Sequence, residues 1–469
     1  MKIENLFVNE KSKIKDTMKT IDSGGLGIVL IVDKNKKLLG IATDSDIRRA
    51  VMNGVNIESE IEKIMNKTPI VVKEPYTNLD ISNLLLEVNK QKFPVYGILC
   101  IPVITKNREP KDILFLSEKN YVGKLSDSKL EVKKVHRVLV VGGAGYLGGI
   151  LCKQLLDHGY AVRVLDNFMY GDDGIAPIQN RPAFEFINGD IRDIRIVVKA
   201  IKEVDAVIHL AAIVGDAASA LDPKETIEIN YLSSKMLAEV CKQSQINRFI
   251  FASTCSVYGA NEPGKMLNEN SKLNPVSLYA EMKLNSEKGI LSLEDDNFSP
   301  TILRMGTLFG VSPRMRFDLV INVLTGKAIM EGKYSVFGGK QWRAFCHVKD
   351  AAKAYVDCLE APIEAVKGQI FNVTPENSTI NDIGKLIKKM IPNTKMIVDK
   401  TQVDQRDYCV SDKKIRAKIR YKHKYTISDG IKEIKSAILT DKKYTDYQSA
   451  KYYNHTYIRE SRERTLEEF

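Results

Sequence analysis

No stretch of about 18 consecutive apolar residues occurs in this 469-residue chain, so no membrane-spanning helix is expected. The first residues, MKIENLFVNEKSKIKD, are charged and lack the apolar core of a secretory signal, which points to a cytoplasmic protein. None of the seven Cys stand as C-x-x-C, and most lie inside apolar runs such as FASTCSVYG. Reduced, buried thiols are the expected state. The six His are scattered without ligand spacing, so no metal site is expected. The net charge is +11, yet there is no long basic block, because Lys and Arg are spread among many acids. Nucleic acid is therefore not the expected partner, and anionic small molecules that carry phosphate account for the charge.

The remaining composition is globular, with 44% hydrophobic and 28% charged residues, and the length suits two or three domains. Residues 1–120 hold short β-rich runs (GIVLIVD, KLLGIAT, PIVV, IPVI) between helical stretches. Residues 121–134 are polar, Lys-rich and without periodicity, and read as a linker. From 135 to 437 apolar strands alternate with helices: HRVLVVGG, YAVRVLDN, FEFINGD, DAVIHLAA, RFIFAST and PTILRMGTLFG. That alternation predicts an α/β fold with a doubly wound, Rossmann-type parallel sheet. Residues 438–469 are a polar, Tyr-containing tail, expected to form a solvated helix or an interface.

The strand RVLVV runs straight into GGAGYLGG, where Gly142, Gly145 and Gly148 form G-x-x-G-x-x-G. Glycine permits positive φ and close approach of backbone N–H groups to a pyrophosphate, and the next helix points its positive end at that phosphate. Tyr146 and Leu147 belong to the same turn. The second strand ends in Asp166 and Asn167. An acid there accepts from a ribose 2′-hydroxyl and repels a 2′-phosphate, so NAD is expected over NADP. The third strand ends at Asp190 and Ile191, placed to meet an adenine ring. HLAA ends the fourth strand with small residues, Ala211 among them, that let a cofactor pass close to the backbone.

SLYAEMK then puts Tyr279 and Lys283 on one helical face. Alone, Y-x-x-x-K arises often by chance. After a dinucleotide loop it reads as a working pair. A phenol titrates near 10. A neighbouring ammonium and a cationic nicotinamide both favour phenolate, which can take a hydroxyl proton while hydride leaves the same carbon. Thr254, ending the fifth strand, can bond the same oxygen.

GGAGYLGG, HLAA, STCSVYG and YAEMK, in this order, resemble the extended short-chain dehydrogenase/reductases that act on nucleotide sugars. The resemblance covers about 135–437. It implies NAD as cofactor, Thr254, Tyr279 and Lys283 as the catalytic trio, and a small C-terminal substrate subdomain. It also implies that Arg343 in SVFGGKQWRAFCHV and Arg406 in DQRDY meet the nucleotide's phosphates or ribose, and that the protein is a homodimer or higher homo-oligomer. Two positions depart from the family pattern. Cys255 and Ser256 stand where 4,6-dehydratases carry Asp-Glu, which disfavours water elimination. Thr307 stands where many members have an Asn contacting substrate. The expected reaction is epimerisation of a nucleotide-diphosphate sugar through a keto sugar formed at C4. A nucleotide-sugar 4-dehydrogenase or ketoreductase needs the same residues, and a non-catalytic NAD sensor is a further reading that has no use for the trio.

The N-terminal LIVDKNKKLLGIATDSDIRRAV resembles a cystathionine-β-synthase (CBS) motif, with Gly40, Thr43 and Asp46 in G-x-x-T-x-x-D. A second half begins at IMNKTPIVV and lacks that signature. The resemblance implies an α+β CBS pair that regulates or dimerises, with Thr43 and Asp46 holding an adenine nucleotide. A helix cap is the other use of those two residues.

Overall fold

The computed structural model describes residues 2–24, 26–77, 80–81, 83–84, 99–116, 121–126, 135–262, 264–401 and 406–467. Met1–Arg137, with Glu203–Asp205 and Gln243–Ile246, form one compact unit; the rest of the chain forms the other.

In the first unit, strands Phe7–Asn9, Ile28–Val32 and Leu38–Thr43 make one small sheet. Ile28–Val32 is buried throughout, as a β-branched central strand should be, while Leu38–Thr43 alternates between buried and half-buried. Helix Ile14–Gly24 buries Ile14, Thr17, Ile21 and Gly24, the spacing of one helical face. The second sheet joins Val72–Lys73, Leu99–Ile104, Pro110–Leu116 and Tyr121–Lys124. The start of the expected linker is thus a strand: Tyr121 pairs antiparallel with Leu116 and Lys124 with Leu114. Ser126 adds a further tie, its hydroxyl donating to Asp112 at 2.6 Å. Residues 127–134 of that expected linker lie outside the described residues.

The second unit is built on a seven-stranded sheet. Its strands are β1 (Arg137–Val141), β2 (Ala161–Asp166), β3 (Phe184–Asn188), β4 (Ala206–His209), β5 (Arg248–Thr254), β6 (Ser299–Met305) and β7 (Ile370–Val373). The order is β3-β2-β1-β4-β5-β6-β7. β3 pairs in parallel with β2, and β1, β4, β5, β6 and β7 pair in parallel in series. β6 is buried at every position and β1 at all but its first, the continuous apolar pattern of a sheet covered on both faces. Among the helices are α1 (Tyr146–Asp157), α2 (Ile194–Ala200), α3 (Ser233–Gln243), α4 (Leu278–Leu291), α5 (Val348–Glu360) and α6 (Asn454–Glu467). α5 packs on α1, and both α4 and α5 touch β5 and β6. Strand order reverses between β1 and β4, and a doubly wound sheet opens its ligand crevice at the carboxyl ends of the strands at such a switch.

The expected sixth strand is two strands. At Gly306 the chain leaves the main sheet, and a Cβ there would lie 2.9 Å from the Ala344 carbonyl oxygen. Thr307–Phe309 then joins Trp342–His347 and Glu376–Thr379 in a separate sheet, and Lys333–Phe337 pairs with Lys395–Asp399 in another. These carry the expected small C-terminal subdomain. The polar tail is not merely solvated. Tyr444, Tyr447 and Tyr452 are buried and set edge-on around Phe317 at 5.4–5.8 Å, so the tail completes the subdomain's core.

Candidate active site

A cavity of about 960 Å³ opens at the carboxyl ends of β1, β2, β4 and β5. The glycine turn forms its floor. Gly142 has φ +83°, and a Cβ on it would come within 2.5 Å of the Ala211 backbone nitrogen. Only glycine fits there, and the contact lays the turn against HLAA as a flat cradle. A Cβ on Gly148 would meet the Gly143 carbonyl oxygen at 2.5 Å, so α1 sits tightly on the turn. Gly145 caps α1 without a side-chain partner, leaving first-turn N–H groups for a ligand. The Tyr146 phenol donates to the Gly310 carbonyl at 2.6 Å, so toward the cavity this residue offers its backbone. Leu147, Asn167, Ile191 and Ala211 line the same cavity.

Asp166, at the end of β2, accepts the Ala144 N–H on one oxygen and the Phe168 N–H on the other, each at 2.9 Å. Burial pushes its carboxyl up, and those two bonds restrain the shift. Each oxygen keeps lone-pair capacity for a ribose hydroxyl. Asp190 also lines the cavity but is not open-handed. Arg192 donates its backbone N–H at 2.8 Å and Nε at 3.0 Å to Oδ1, and Nη2 at 2.7 Å to Oδ2. Partial burial acts upward on this carboxyl, but the bonds from Arg192 hold it below the ordinary value. An adenine amino group bonding here would have to share it, a restriction that a strand-end acid in the sequence does not reveal. The cradle, the free N–H groups and the ribose acceptor fit a dinucleotide.

The candidate trio converges on the same cavity. Thr254 ends β5 and caps the turn Cys255–Tyr258, accepting the Ser256 N–H at 3.1 Å. Ser277 caps α4, accepting the Ala280 N–H at 3.3 Å, and Tyr279 and Lys283 follow on one face. Lys283 Nζ donates to the Ala252 carbonyl at 2.9 Å and lies 4.7 Å from the Phe251 ring centre. Burial pushes this ammonium down to about 7, with Glu287 acting the other way. Tyr279 is pushed up, first by burial and then by the Asp216 carboxylate, while Arg316 and a hydrogen bond with Thr254 act downward. The expected depression of Tyr279 by Lys283 is therefore not what the chain's own groups produce. Desolvation by burial outweighs the groups that favour phenolate. Cys255 is fully buried and its thiol donates to the Arg304 carbonyl at 3.4 Å, leaving Ser256 alone at the cavity wall.

On the far side, Arg343 Nη1 donates to the carbonyls of Trp342, at 2.8 Å, and Arg406, and its guanidinium lies 5.5 Å from the Tyr408 ring centre. Arg406 Nη1 pairs with Asp216 Oδ2 at 2.9 Å. The two arginines do meet at the cavity, together with Thr307, but each already has a protein partner. The sequence reading missed Asp216, Arg314, Arg316 and Asp318, which line the cavity too. Two arginines in the short run SPRMRFD were the available signal.

In the first unit, Thr43 and Asp46 form a capping box. The Thr43 hydroxyl donates to Asp46 Oδ2 at 2.7 Å, the Thr43 N–H donates to the same oxygen at 3.0 Å, and the Asp46 N–H donates back at 3.3 Å. Gly40 lies where a Cβ would meet the Asn66 carbonyl oxygen at 2.6 Å. Among the described residues no group of His, Cys, Asp and Glu could hold a metal ion, and no helix is long and apolar enough to cross a membrane.

The model of the NAD dependent epimerase/dehydratase family matches residues 138–374, and that of the CBS domain matches residues 1–53. A putative UDP-glucose 4-epimerase of Methanocaldococcus jannaschii is 30% identical over 305 residues, covering 63% of this chain and 96% of the relative. The crystal structure of UDP-glucuronic acid 4-epimerase from Bacillus cereus, in complex with UDP-glucuronic acid and NAD, aligns with TM-score 0.57 at 27% identity over 65% of this chain and 99% of its own. UDP-glucose 4-epimerase of Thermotoga maritima, solved with UDP-glucose, aligns with TM-score 0.59 at 25% identity over the same shares. With its glycine cradle, its ribose acceptor and this match over half its length, the chain belongs to the NAD dependent epimerase/dehydratase family, with NAD as its dinucleotide and a CBS sequence at its N-terminal end.

Proposed function

We propose that the chain is a nucleotide-sugar 4-epimerase. The observation that carries this reading is the shared cavity, which the glycine turn, Thr254, Tyr279 and Lys283, and Arg343 and Arg406 all line. Bound NAD supplies a hydride acceptor that can also return the hydride. Arg343 and Arg406 suit the diphosphate of the sugar nucleotide, since a planar guanidinium bonds two oxygens at once. Thr254 orients the C4 hydroxyl, and Tyr279 takes its proton as that carbon is oxidised. After the keto sugar turns over, the hydride is returned to the opposite face of C4 and Tyr279 returns the proton to the C4 oxygen. Ser256 next to a buried Cys255 offers no acid–base pair for water elimination. The matched relatives are named for 4-epimerisation of UDP-sugars, which supports C4 and a uridine base.

The test is incubation of the purified chain and NAD with UDP-, GDP-, CDP- and dTDP-sugars, followed by NMR and mass spectrometry, with NADH read optically. An isomer of unchanged mass without net NADH is expected. Tyr279→Phe should lower that turnover by about 100-fold or more while leaving NAD binding intact. Stoichiometric NADH would make the chain a dehydrogenase, and a product lighter by one water a dehydratase.

A further inference from the structure

Arg314 is 3% exposed, and neither its Nε nor its Nη2 has a hydrogen-bond partner among the described residues. A buried guanidinium with unmet donors asks for an anion. Its side chain lines the cavity and lies 4.6 Å from the ring centre of Tyr170, on the loop that follows Asp166. The segment carrying it is fastened to the start of α1: Tyr146 donates to the Gly310 carbonyl, and the Ser312 hydroxyl donates to the Tyr146 carbonyl at 2.6 Å. Arg314 thus belongs to the dinucleotide end of the cavity.

α6 lies at the same end and beyond the part of the chain that the family model matches. Asn454 and His455 line the cavity. Asn454 is 3% exposed, and its Oδ1 has no partner among the described residues. Its N–H donates to Asp318 Oδ2 at 3.0 Å, and Asp318 also holds Arg316 at 2.8 and 3.0 Å. Tyr457 packs on Tyr170 with ring centres 5.9 Å apart. Ile458 is buried among Ile213, Ala218 and Ile229. Arg462 pairs with Glu225 and with Asp222.

We propose that Arg314 and α6 are part of the NAD site, Arg314 taking an oxygen of the cofactor's diphosphate and α6, through Asn454, His455 and Tyr457, covering the loop that holds the adenosine ribose. The unmet donors of Arg314 and the unmet Asn454 oxygen are the vacancies such a ligand fills. The fastening of α6 by Tyr457 and Arg462 gives the chain a means of retaining NAD between turnovers. The inference rests on NAD as cofactor and is independent of which sugar is turned over.

The test is calorimetric titration of the full-length protein with NAD and, separately, with uridine diphosphate. Arg314→Met is expected to raise the Kd for NAD about tenfold or more, the loss of one charge-assisted bond, and to leave that for uridine diphosphate within about twofold. Arg462→Glu is expected to speed NAD release measured by stopped flow. An unchanged Kd for NAD in Arg314→Met overturns the assignment, as does a loss confined to uridine diphosphate, which would give Arg314 to the substrate. Hydrogen exchange on the unmodified protein is the check that does not depend on a variant's folding. NAD should slow exchange across residues 454–462, and exchange indifferent to NAD would remove α6 from the site.

Discussion

Asp216 and Arg406 form an ion pair at 2.9 Å beside Tyr279, and the other Asp216 oxygen accepts the Ser277 hydroxyl at 2.7 Å. One carboxylate thus ties Arg406 to the residue that caps the helix bearing Tyr279 and Lys283. Its charge is also the largest upward push on Tyr279 after burial.

Asp216→Asn should therefore make the phenol more acidic. Removing the negative charge lowers the Tyr279 pKa, so the acid limb of the kcat/KM profile should move to lower pH, by up to about one unit. Ser277 keeps its cap, because Asn still accepts from its hydroxyl. A limb that stays in place or moves upward would show that Asp216 is only a structural anchor.

Lys283 makes stability depend on pH in a defined direction. Its folded-state pKa, about 7, lies below the ordinary 10.5. Between these values the unfolded chain binds more protons than the folded one, so stability rises with pH from 7 toward 10 and is lost as pH falls through 7. Lys283→Met should flatten that slope and be more stable than the unmodified protein at pH 7, by on the order of 2 kcal/mol. Urea denaturation at three pH values between 7 and 10 reads it directly. A slope unchanged in the variant assigns the effect elsewhere.

Arg304 and Glu287 are a fully buried pair, with side chains 2% exposed and Nη2 and Oε2 2.7 Å apart. Arg304 Nε also donates to Glu287 Oε1 at 3.0 Å, and the Ser253 hydroxyl donates to that same oxygen. The pair thereby locks β6 to α4, and the Ser253 bond ties β5 to the same carboxylate just before Thr254. Arg304→Met leaves a carboxylate buried without its cation and should cost about 3–5 kcal/mol. The double variant with Glu287→Met should recover most of that. Guanidinium denaturation curves with matching slopes decide the point.

Asp46 tests the N-terminal unit. Asp46→Ala removes the capping box and should cost about 1 kcal/mol of stability. If the unit binds an adenine nucleotide as the CBS resemblance implies, titration with AMP, ADP or ATP gives heat that the variant loses. Absence of heat in the unmodified protein would leave Thr43 and Asp46 as a helix cap alone.

The chain's local order was legible in its sequence. The apolar strands, the glycine turn, Asp166 and the Tyr279–Lys283 spacing are periodic or short-range patterns, and backbone sterics and helical geometry act on neighbours. What bonds across long separations was not. Gly306 lies against the Ala344 carbonyl, and Asp216, Ser277 and Arg406 meet from three distant segments. The tail read as polar because its tyrosines are scattered among lysines and acids, yet Phe317 gathers three of them into the core. The sequence by itself determined the NAD fold and placed the trio on its strand end and helix. Only the tertiary structure decided which charges face Tyr279 and which buried donors are left unmet, because desolvation and Coulomb forces depend on distance through space.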